Sequence, residues 1–157
     1  MSETIQVVSF KLGSEEYGVD IAQVQEINRM VAITHVPRAP QFMEGVINLR
    51  GQLIPIIDLR ARFGMPRAEH TKNTRIVVTE IGAKRVGMVV DSVSEVLRLA
   101  TEHIEDAPEM ITGVDTEYIR GVGKIEDRLI ILLDLARIIS GAERRELEAT
   151  EIEAVPV

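Results

Sequence analysis

Cysteine and tryptophan are absent from this 157-residue chain, and aromatic residues make up only 3% of it. The lack of cysteine excludes disulfides, zinc sites built on thiolates and cysteine nucleophiles, and it fits a reducing compartment. Because aromatic side chains are so scarce, the hydrophobic core must be almost entirely aliphatic. The hydrophobic fraction of 45% is still typical of a folded globular protein.

Long apolar runs and an excess of cations are also missing. No run approaches the roughly 20 residues that cross a membrane, and residues 1–10 lack the basic and apolar regions of a signal peptide. The formal net charge of −7 disfavours nucleic acid and anionic membrane surfaces as partners. These features predict a cytoplasmic protein. Its 157 residues suffice for one domain or for two small subdomains that share a core.

A predicted hairpin stands at the centre of the sequence, in the segment GVINLRGQLIPIIDL at 45–59. Two β-rich apolar runs are separated there by a turn that contains Gly51, the pattern of a β-hairpin. Arg50 lies in that turn, between two runs that are expected to be buried. A cation in such a place is costly unless it is paired or lies at a surface that something else covers.

Two further segments have a distinct pattern. Residues 22–30 alternate in polarity, which predicts a strand with Val24 and Glu26 on one face, although a short helical turn over 22–27 fits equally well. The many charged residues of 142–157 predict a C-terminal helix or tail at the surface.

Short helices are predicted directly after two of the apolar strands. Asp58 can cap a helix that Gly64 ends. Asp134 can open a second helix that runs through Ile139.

The second half of the sequence repeats the first. A shift of 69 residues aligns Gly13 with Gly82, Gly18 with Gly87, Val24 with Val93, Glu26 with Glu95 and Arg29 with Arg98. A shift of 76 aligns Gly45 with Gly121, Leu53 with Leu129 and Asp58 with Asp134. The seven extra residues (76 minus 69) fall between 100 and 120, in a polar segment.

Each half carries about five short strands and one helical turn. Five short strands leave unpaired edges in an open sheet, so closure into a small barrel is the natural arrangement. The sequence therefore predicts an all-β fold with short helices, in which two five-stranded barrels share an aliphatic core.

Catalytic chemistry has little support in the sequence. The three histidines, His35, His70 and His103, are far apart and lack the spacing of a metal site. Neither a phosphate-binding glycine loop nor a Gly-x-Ser-x-Gly elbow is present. Asp58 and Asp134 occupy matching positions of the repeat, which favours structural caps over a catalytic pair. We therefore predict a protein that is not an enzyme and uses neither metal nor cofactor.

Arg50 departs from the repeat, because the second half carries Glu126 at the matching position. A residue that breaks the symmetry of a duplicated scaffold is a better functional candidate than one that obeys it. The alternative is a turn arginine that points into water. For Val24 and Val93 the alternative is an ordinary core position, and for Glu26 it is a solvated strand face.

Four blocks of the sequence, in this order and spacing, resemble the CheW chemotaxis coupling proteins. They read EEYGVDIAQVQEI, VPRAPQFMEGVINLRGQLIPIIDLRARFG, VGMVVDSVSEVLRL and YIRGVGKIEDRLIILLDLARII. The resemblance covers about residues 5 to 140. It implies a single domain of two five-stranded SH3-like β-barrels, intertwined or packed, at roughly 15–70 and 71–140. The N-terminal strand would be shared between the barrels.

The resemblance also implies a function and partners. Proteins of this kind are non-enzymatic adaptors that couple the histidine kinase CheA to the cytoplasmic tips of methyl-accepting chemoreceptors, in arrays associated with the membrane. They contact the regulatory domain of the kinase through the first barrel, for which the sequence assigns no residues. They hold the receptor tip in a groove between the barrels. The alternatives are a CheW-like adaptor in another two-component array, or a small ligand-binding β-barrel.

The resemblance implies a set of receptor-binding residues. The arginine of NLRG corresponds to Arg50, and the glycine that opens GVINLRG corresponds to Gly45. The valine and glutamate of VQEI correspond to Val24 and Glu26. The valine of DSV, Val93, lies in the matching strand of the second barrel.

Overall fold

The structure, a computed structural model, describes residues 3–37, 42–66, 68–106 and 118–139. No helix among these residues is long and apolar enough to cross a membrane. Strands dominate, and the two α-helices in this part of the chain span four residues each. The all-β prediction with short helices is therefore confirmed.

Eleven strands and two α-helices lie within the described residues. The strands of the described residues are β1 (Thr4–Leu12), β2 (Glu15–Asp20), β3 (Val24–Arg29), β4 (Met43–Leu49), β5 (Gln52–Asp58), β6 (Arg75–Ile81), β7 (Lys84–Val90), β8 (Ser92–Ala100), β9 (Ile104–Glu105), β10 (Ile119–Ile125) and β11 (Arg128–Leu133). The α-helices are α1 (Leu59–Arg62) and α2 (Leu135–Ile138). A 3₁₀ turn at Ile21–Gln23 precedes β3, so residues 22–30 contain both a helical turn and a strand. The prediction that Val24 and Glu26 share one face is wrong, because a register shift between them places Val24 opposite Thr79 and Glu26 opposite Val78, on opposite faces of the sheet.

The described strands form two sheets. Sheet 1 has the order β8-β1-β2-β11-β10-β9, and sheet 2 has the order β3-β6-β7-β5-β4. Sheet 2 is built from the continuous segment 24–90, whereas sheet 1 combines β1 and β2 with strands that follow residue 91. The division near residue 70 thus falls inside the segment that forms sheet 2.

The repeat is visible in the strand pairing. In sheet 2, β5 and β7 pair in parallel, with Ile56 opposite Gly87. In sheet 1, β11 and β2 pair in parallel, with Leu132 opposite Gly18. These pairs occupy matching positions of the two shifts. Each half of the sequence therefore contributes its opening hairpin to the sheet that holds the closing hairpin of the other half.

The core is divided into three apolar clusters. The largest lies between the two sheets and includes Phe10, Tyr17, Ile57, Met88 and Ile131. Each sheet also encloses a smaller cluster on its other face, around Ile76 in sheet 2 and around Leu99 in sheet 1. Two enclosed clusters are compatible with the closure of each sheet into a barrel, which stays a prediction.

The few aromatic residues of the chain are gathered between the sheets. Phe10, Tyr17, Phe63 and Tyr118 stack in one row, with successive ring centroids 5.9, 5.7 and 5.8 Å apart. The guanidinium carbon of Arg62 lies 5.2 Å from the Tyr118 ring centroid and 5.0 Å from that of Phe42, which suits cation–π attraction.

Both predicted helix caps are present. Asp58 Oδ1 accepts a hydrogen bond from the Arg60 backbone N–H at 3.0 Å, and Asp134 Oδ1 accepts one from Ala136 at 3.1 Å. These are the side-chain caps that stabilise helix N-termini. The predicted helix over 142–157 lies outside the described residues.

Candidate functional site

Arg50 lies at the tip of the hairpin formed by β4 and β5, where Leu49 pairs with Gln52. Its φ of 52° is in the left-handed region, which a two-residue hairpin turn requires. The Asn48 side chain accepts a hydrogen bond from the Gly51 backbone N–H at 2.9 Å, which holds the turn in place. The Arg50 side chain is 68% exposed, so the predicted hairpin presents its cation to solvent.

Arg50 forms an ion pair with Glu26 of β3. Its Nη2 lies 2.5 Å from Glu26 Oε2 and its Nη1 lies 3.4 Å from Oε1. Asn28 donates a further hydrogen bond to Glu26 Oε1 at 2.7 Å. Since β3 is one edge of sheet 2 and β4 is the other, the pair joins the two edges. Two of the residues that the resemblance implies for receptor binding, Arg50 and Glu26, therefore contact each other.

Both partners of this pair are charged at neutral pH. The hydrogen bond from Arg50, followed by that from Asn28, holds the pKa of the Glu26 carboxyl below its ordinary value. The same hydrogen bond raises the pKa of the Arg50 guanidinium. Because Arg50 is largely exposed, salt and water screen the pair, and its contribution to folding is small.

Further polar contacts surround the pair. Arg85 of β7 donates to the Gln52 side chain beside the turn, and Gln25 of β3 donates to Glu80 of β6 at 3.0 Å. Ile27 of β3 is 40% exposed. Because neighbouring residues of a strand point to opposite faces, Ile27 is exposed on the face of β3 that is turned away from Glu26.

Val24 and Val93 hold matching places on the two sheets. Val24 opens β3, the edge of sheet 2, and Val93 lies in β8, an edge of sheet 1. Both side chains are half-buried and pack against the cluster between the sheets. The structure thus places the two valines at the border of the cluster between the sheets, a border that we call the seam. Because both are half-buried, the alternative that they are core residues is correct in part.

Gly45 has a packing role. A β-carbon at this position would lie 2.3 Å from the carbonyl oxygen of Thr34 and 2.6 Å from a methyl group of Ile33. Thr34 and Val46 exchange two backbone hydrogen bonds, at 2.8 and 2.9 Å, so the segment around Thr34 and strand β4 cannot move apart freely. Gly45 lets the segment around Thr34 lie directly against β4.

Sequence reasoning missed a second charged cluster, which lies in sheet 1. Arg128 of β11 contacts two carboxylates: Glu16 of β2, through two hydrogen bonds, and Glu95 of β8, at 2.9 Å. The buried hydroxyl of Ser9 also donates to Glu16. The repeat gave no signal for this cluster, because Glu16 matches Arg85 and Arg128 matches Gln52, and only the structure shows that Arg85 and Gln52 also contact each other in sheet 2.

Glu16 is the most enclosed carboxylate of this cluster, with a side chain only 12% exposed. Burial opposes its ionisation, yet the hydrogen bonds from Arg128 and Ser9 outweigh burial and hold the pKa of the carboxyl below its ordinary value. The hydrogen bonds that Arg128 donates to Glu16 and to Glu95 raise the pKa of its guanidinium. The cluster is therefore a charged network that stabilises sheet 1.

The remaining titratable groups offer no catalytic arrangement within the described part of the chain. No group of three or more histidine, aspartate or glutamate side chains there could hold a metal ion. His70 Nε2 lies 3.4 Å from Glu44 Oε1, and Asp58 and Asp134 are helix caps. What the geometry supports is recognition through an exposed ion pair beside an apolar seam.

Comparisons with known proteins agree with this geometry. Residues 6–143 match the family described as the CheW-like domain. The chain is 44% identical over 134 residues to the chemotaxis protein CheW of Klebsiella aerogenes, covering 85% of this chain and 81% of that one. It is 33% identical over 134 residues to the CheW protein of Bacillus subtilis, covering 85% and 86%. The crystal structure of the scaffolding protein TtCheW from Thermoanaerobacter tengcongensis superposes with a TM-score of 0.82 at 38% identity, covering 91% and 92%.

Proposed function

The chain belongs to the CheW-like family, and on this basis we propose that it couples a CheA-type histidine kinase to the cytoplasmic tips of chemoreceptors. Proteins of this family are chemotaxis scaffolds rather than enzymes, and the prediction of a non-enzymatic protein agrees with that. The protein would work in the cytoplasm and be recruited to receptor arrays at the membrane.

The observation that carries the proposal is the exposed ion pair of Arg50 and Glu26 beside the seam between the sheets. A helical receptor tip would lay its apolar face along the seam, against Val24 and Val93. Arg50 would pair with a carboxylate of the tip, because most of its side chain is open to solvent. Glu26 holds the guanidinium at the required place until the partner arrives.

The kinase would bind to another part of the surface, so that one molecule can engage both partners. The first half of the chain is the expected contact region for its regulatory domain, without assigned residues. A single receptor contact of this size is weak, and repetition across an array raises the effective affinity.

The test is a pull-down of a receptor tip fragment with the wild type, Arg50→Ala and Arg50→Glu. We expect binding to fall by about ten-fold with alanine and further with glutamate, because the latter adds repulsion to the loss of a pair. Lys124→Ala and Lys124→Glu are matched controls, since Lys124 is an exposed cation of sheet 1 paired with Glu105 at 3.0 Å. Binding of the CheA regulatory domain, measured separately, should be retained by all four variants. Unchanged receptor binding by both Arg50 variants would refute the proposed role of Arg50.

A further inference from the structure

An ion pair between Arg60 and Asp91 links the two sheets. Arg60 belongs to α1, which continues from β5 of sheet 2, and Asp91 lies between β7 of sheet 2 and β8 of sheet 1. Arg60 Nε lies 2.8 Å from Asp91 Oδ1, and Arg60 Nη2 lies 2.5 Å from Oδ2. Two parallel hydrogen bonds of this kind fix the relative orientation of the two side chains.

Arg60 is itself held from both sides. Its backbone N–H donates to the Asp58 cap at 3.0 Å, and its Nη1 donates to the carbonyl oxygen of Pro66 at 3.1 Å. Its side chain is only 17% exposed. The guanidinium is therefore a fixed group of sheet 2 and not a mobile surface charge.

Asp91 connects this group to sheet 1. Its Oδ2 also accepts a hydrogen bond from the backbone N–H of Gly13 at 2.7 Å, in the turn between β1 and β2. Its own N–H donates to the carbonyl oxygen of Lys11 at 3.0 Å. One carboxylate is thus shared between α1 on the sheet 2 side and the first hairpin of sheet 1.

The repeat has no counterpart of this contact. The shift of 76 residues matches Arg60 with Ala136, and the shift of 69 residues matches Asp91 with Ala22. Neither alanine carries a polar side-chain atom, so an ion pair cannot form at the matching place. The pairs Arg50–Glu26 and Arg128–Glu16, by contrast, each lie within one sheet.

We propose that the contact of Arg60 with Asp91 is a one-sided clasp that sets the angle between the two sheets, and that both residues are positioning residues for the receptor seam. This rests on the proposed function. Val93 follows Asp91 by two residues and is held by the clasp, whereas Val24 follows Ala22 by two residues and lacks one. The ion pair therefore fastens the sheets beside Val93, and the matching ion pair is missing beside Val24.

The clasp can be tested by measuring the distance between the sheets directly. The chain contains no cysteine, so spin labels attach only at introduced sites. Arg29→Cys on β3 and Arg98→Cys on β8 put labels at exposed, matching places of the two sheets. The distance distribution is compared in the otherwise unchanged chain, in Asp91→Asn and in Arg60→Ala. Lys124→Gln, which removes an ion pair within sheet 1, is the control.

We expect the population of open molecules to rise about ten-fold in Asp91→Asn and in Arg60→Ala, and to stay unchanged in Lys124→Gln, since hydrogen bonds to charged groups are the strong ones. Asp91→Asn is the milder change, because its side-chain oxygen can still accept from Gly13. A distribution identical to the wild type in both variants would overturn the clasp. The distances are measured under conditions in which circular dichroism shows each variant to be folded, so that loss of stability alone does not produce the expected result.

Receptor binding gives the second measurement. The affinity for a receptor tip should fall by about five-fold in Asp91→Asn, because a smaller fraction of molecules has the competent angle. A broadened distribution with an unchanged affinity would refute the positioning role. If the wild type itself fails to bind the tip, the proposed function fails, while the distance measurement still decides whether the clasp exists.

Discussion

The β4–β5 turn and the β10–β11 turn share a backbone and differ in charge. Arg50 and Glu126 both have a φ of 52°, and they occupy matching positions of the repeat. The duplicated fold thus fixes the path of the chain without fixing the side chain at the tip. At this position sheet 2 presents a cation and sheet 1 an anion.

The two sheets also pair their matching glutamates with arginines from different places. Glu26 of sheet 2 is paired from the turn by Arg50, and Glu95 of sheet 1 is paired by Arg128, two positions further along the repeat. Arg128 also neutralises the enclosed carboxylate of Glu16. The same charge pairing therefore stabilises the scaffold in sheet 1 and remains accessible to a partner in sheet 2.

Substitution of the matching glycines, Gly45 and Gly121, should give the largest difference in the free energy of unfolding between the two sheets. Gly45→Ala should lower the free energy of unfolding by about 3 kcal/mol, because the new methyl group meets backbone that two hydrogen bonds hold in place. Gly121→Ala should lower it by only about 1 to 2 kcal/mol, since the new methyl group would lie 2.9 Å from an Ile104 methyl group and 3.0 Å from the Glu105 carbonyl oxygen, both farther than the contacts at Gly45. Denaturant unfolding measures both values. Equal losses would show that the Thr34 contact is no tighter than its counterpart.

Replacing Arg128 should reduce stability, whereas replacing Arg50 should not. Arg128→Ala leaves Glu16 enclosed and without its main partner, and we expect a loss of about 1 to 2 kcal/mol after allowance for solvent screening. Arg50→Ala should leave the melting midpoint unchanged, because its guanidinium is exposed. If Arg50→Ala lowers stability as much as Arg128→Ala does, the conclusion that Arg128 stabilises the fold and Arg50 does not would be wrong.

Acid should weaken sheet 1 through Glu16. Its pKa is below the ordinary 4.5 in the folded protein, so the unfolded chain binds more protons and stability falls as the pH falls from about 5 to 3. Glu16→Gln should flatten this acid limb, measured by melting at each pH. Glu26→Gln should flatten it too at low salt but much less at about 1 M salt, which screens exposed pairs. An acid limb that Glu16→Gln leaves unchanged would contradict the assignment.

The smallest effect is expected at the turn of sheet 1. Glu126→Gly should raise the free energy of unfolding by about 0.5 kcal/mol, because glycine removes the strain of a left-handed residue but adds freedom to the unfolded chain. Thermal melting at several protein concentrations measures this. A loss of stability would mean that the Glu126 side chain contributes to the turn.

Much of the local structure could be predicted from the sequence. Two β-rich apolar runs around a turn with Gly51 identify the hairpin around Arg50, and the matched aspartates identify both helix caps, because these features depend on neighbours in the chain. The family resemblance named Glu26 and Arg50 together, but their direct contact could not be read from the sequence, because the two residues are 24 positions apart and the repeat does not pair them.

The exchange of hairpins between the sheets could not be predicted in the same way. The pattern of β2 specifies which face is buried, but it does not specify whether β11 or β5 lies beside it. The cluster of Arg128 and Glu16 was missed for a related reason: its members are 112 residues apart, and the matching contact in sheet 2 is between an arginine and a glutamine. The two halves keep a contact at this place but use different residue types for it. An alignment of the two halves therefore shows no identical residues there.

The row of stacked rings has a spectroscopic consequence. With no tryptophan and only two tyrosines in the chain, ultraviolet-excited emission comes from Tyr17 and Tyr118, both of them in that row. The Tyr17 hydroxyl donates to a Glu15 carboxylate oxygen at 2.8 Å, an arrangement that quenches phenol emission. The native fluorescence of this protein is therefore a label-free signal from between its two sheets, and it should brighten when unfolding breaks the contact of Tyr17 with Glu15.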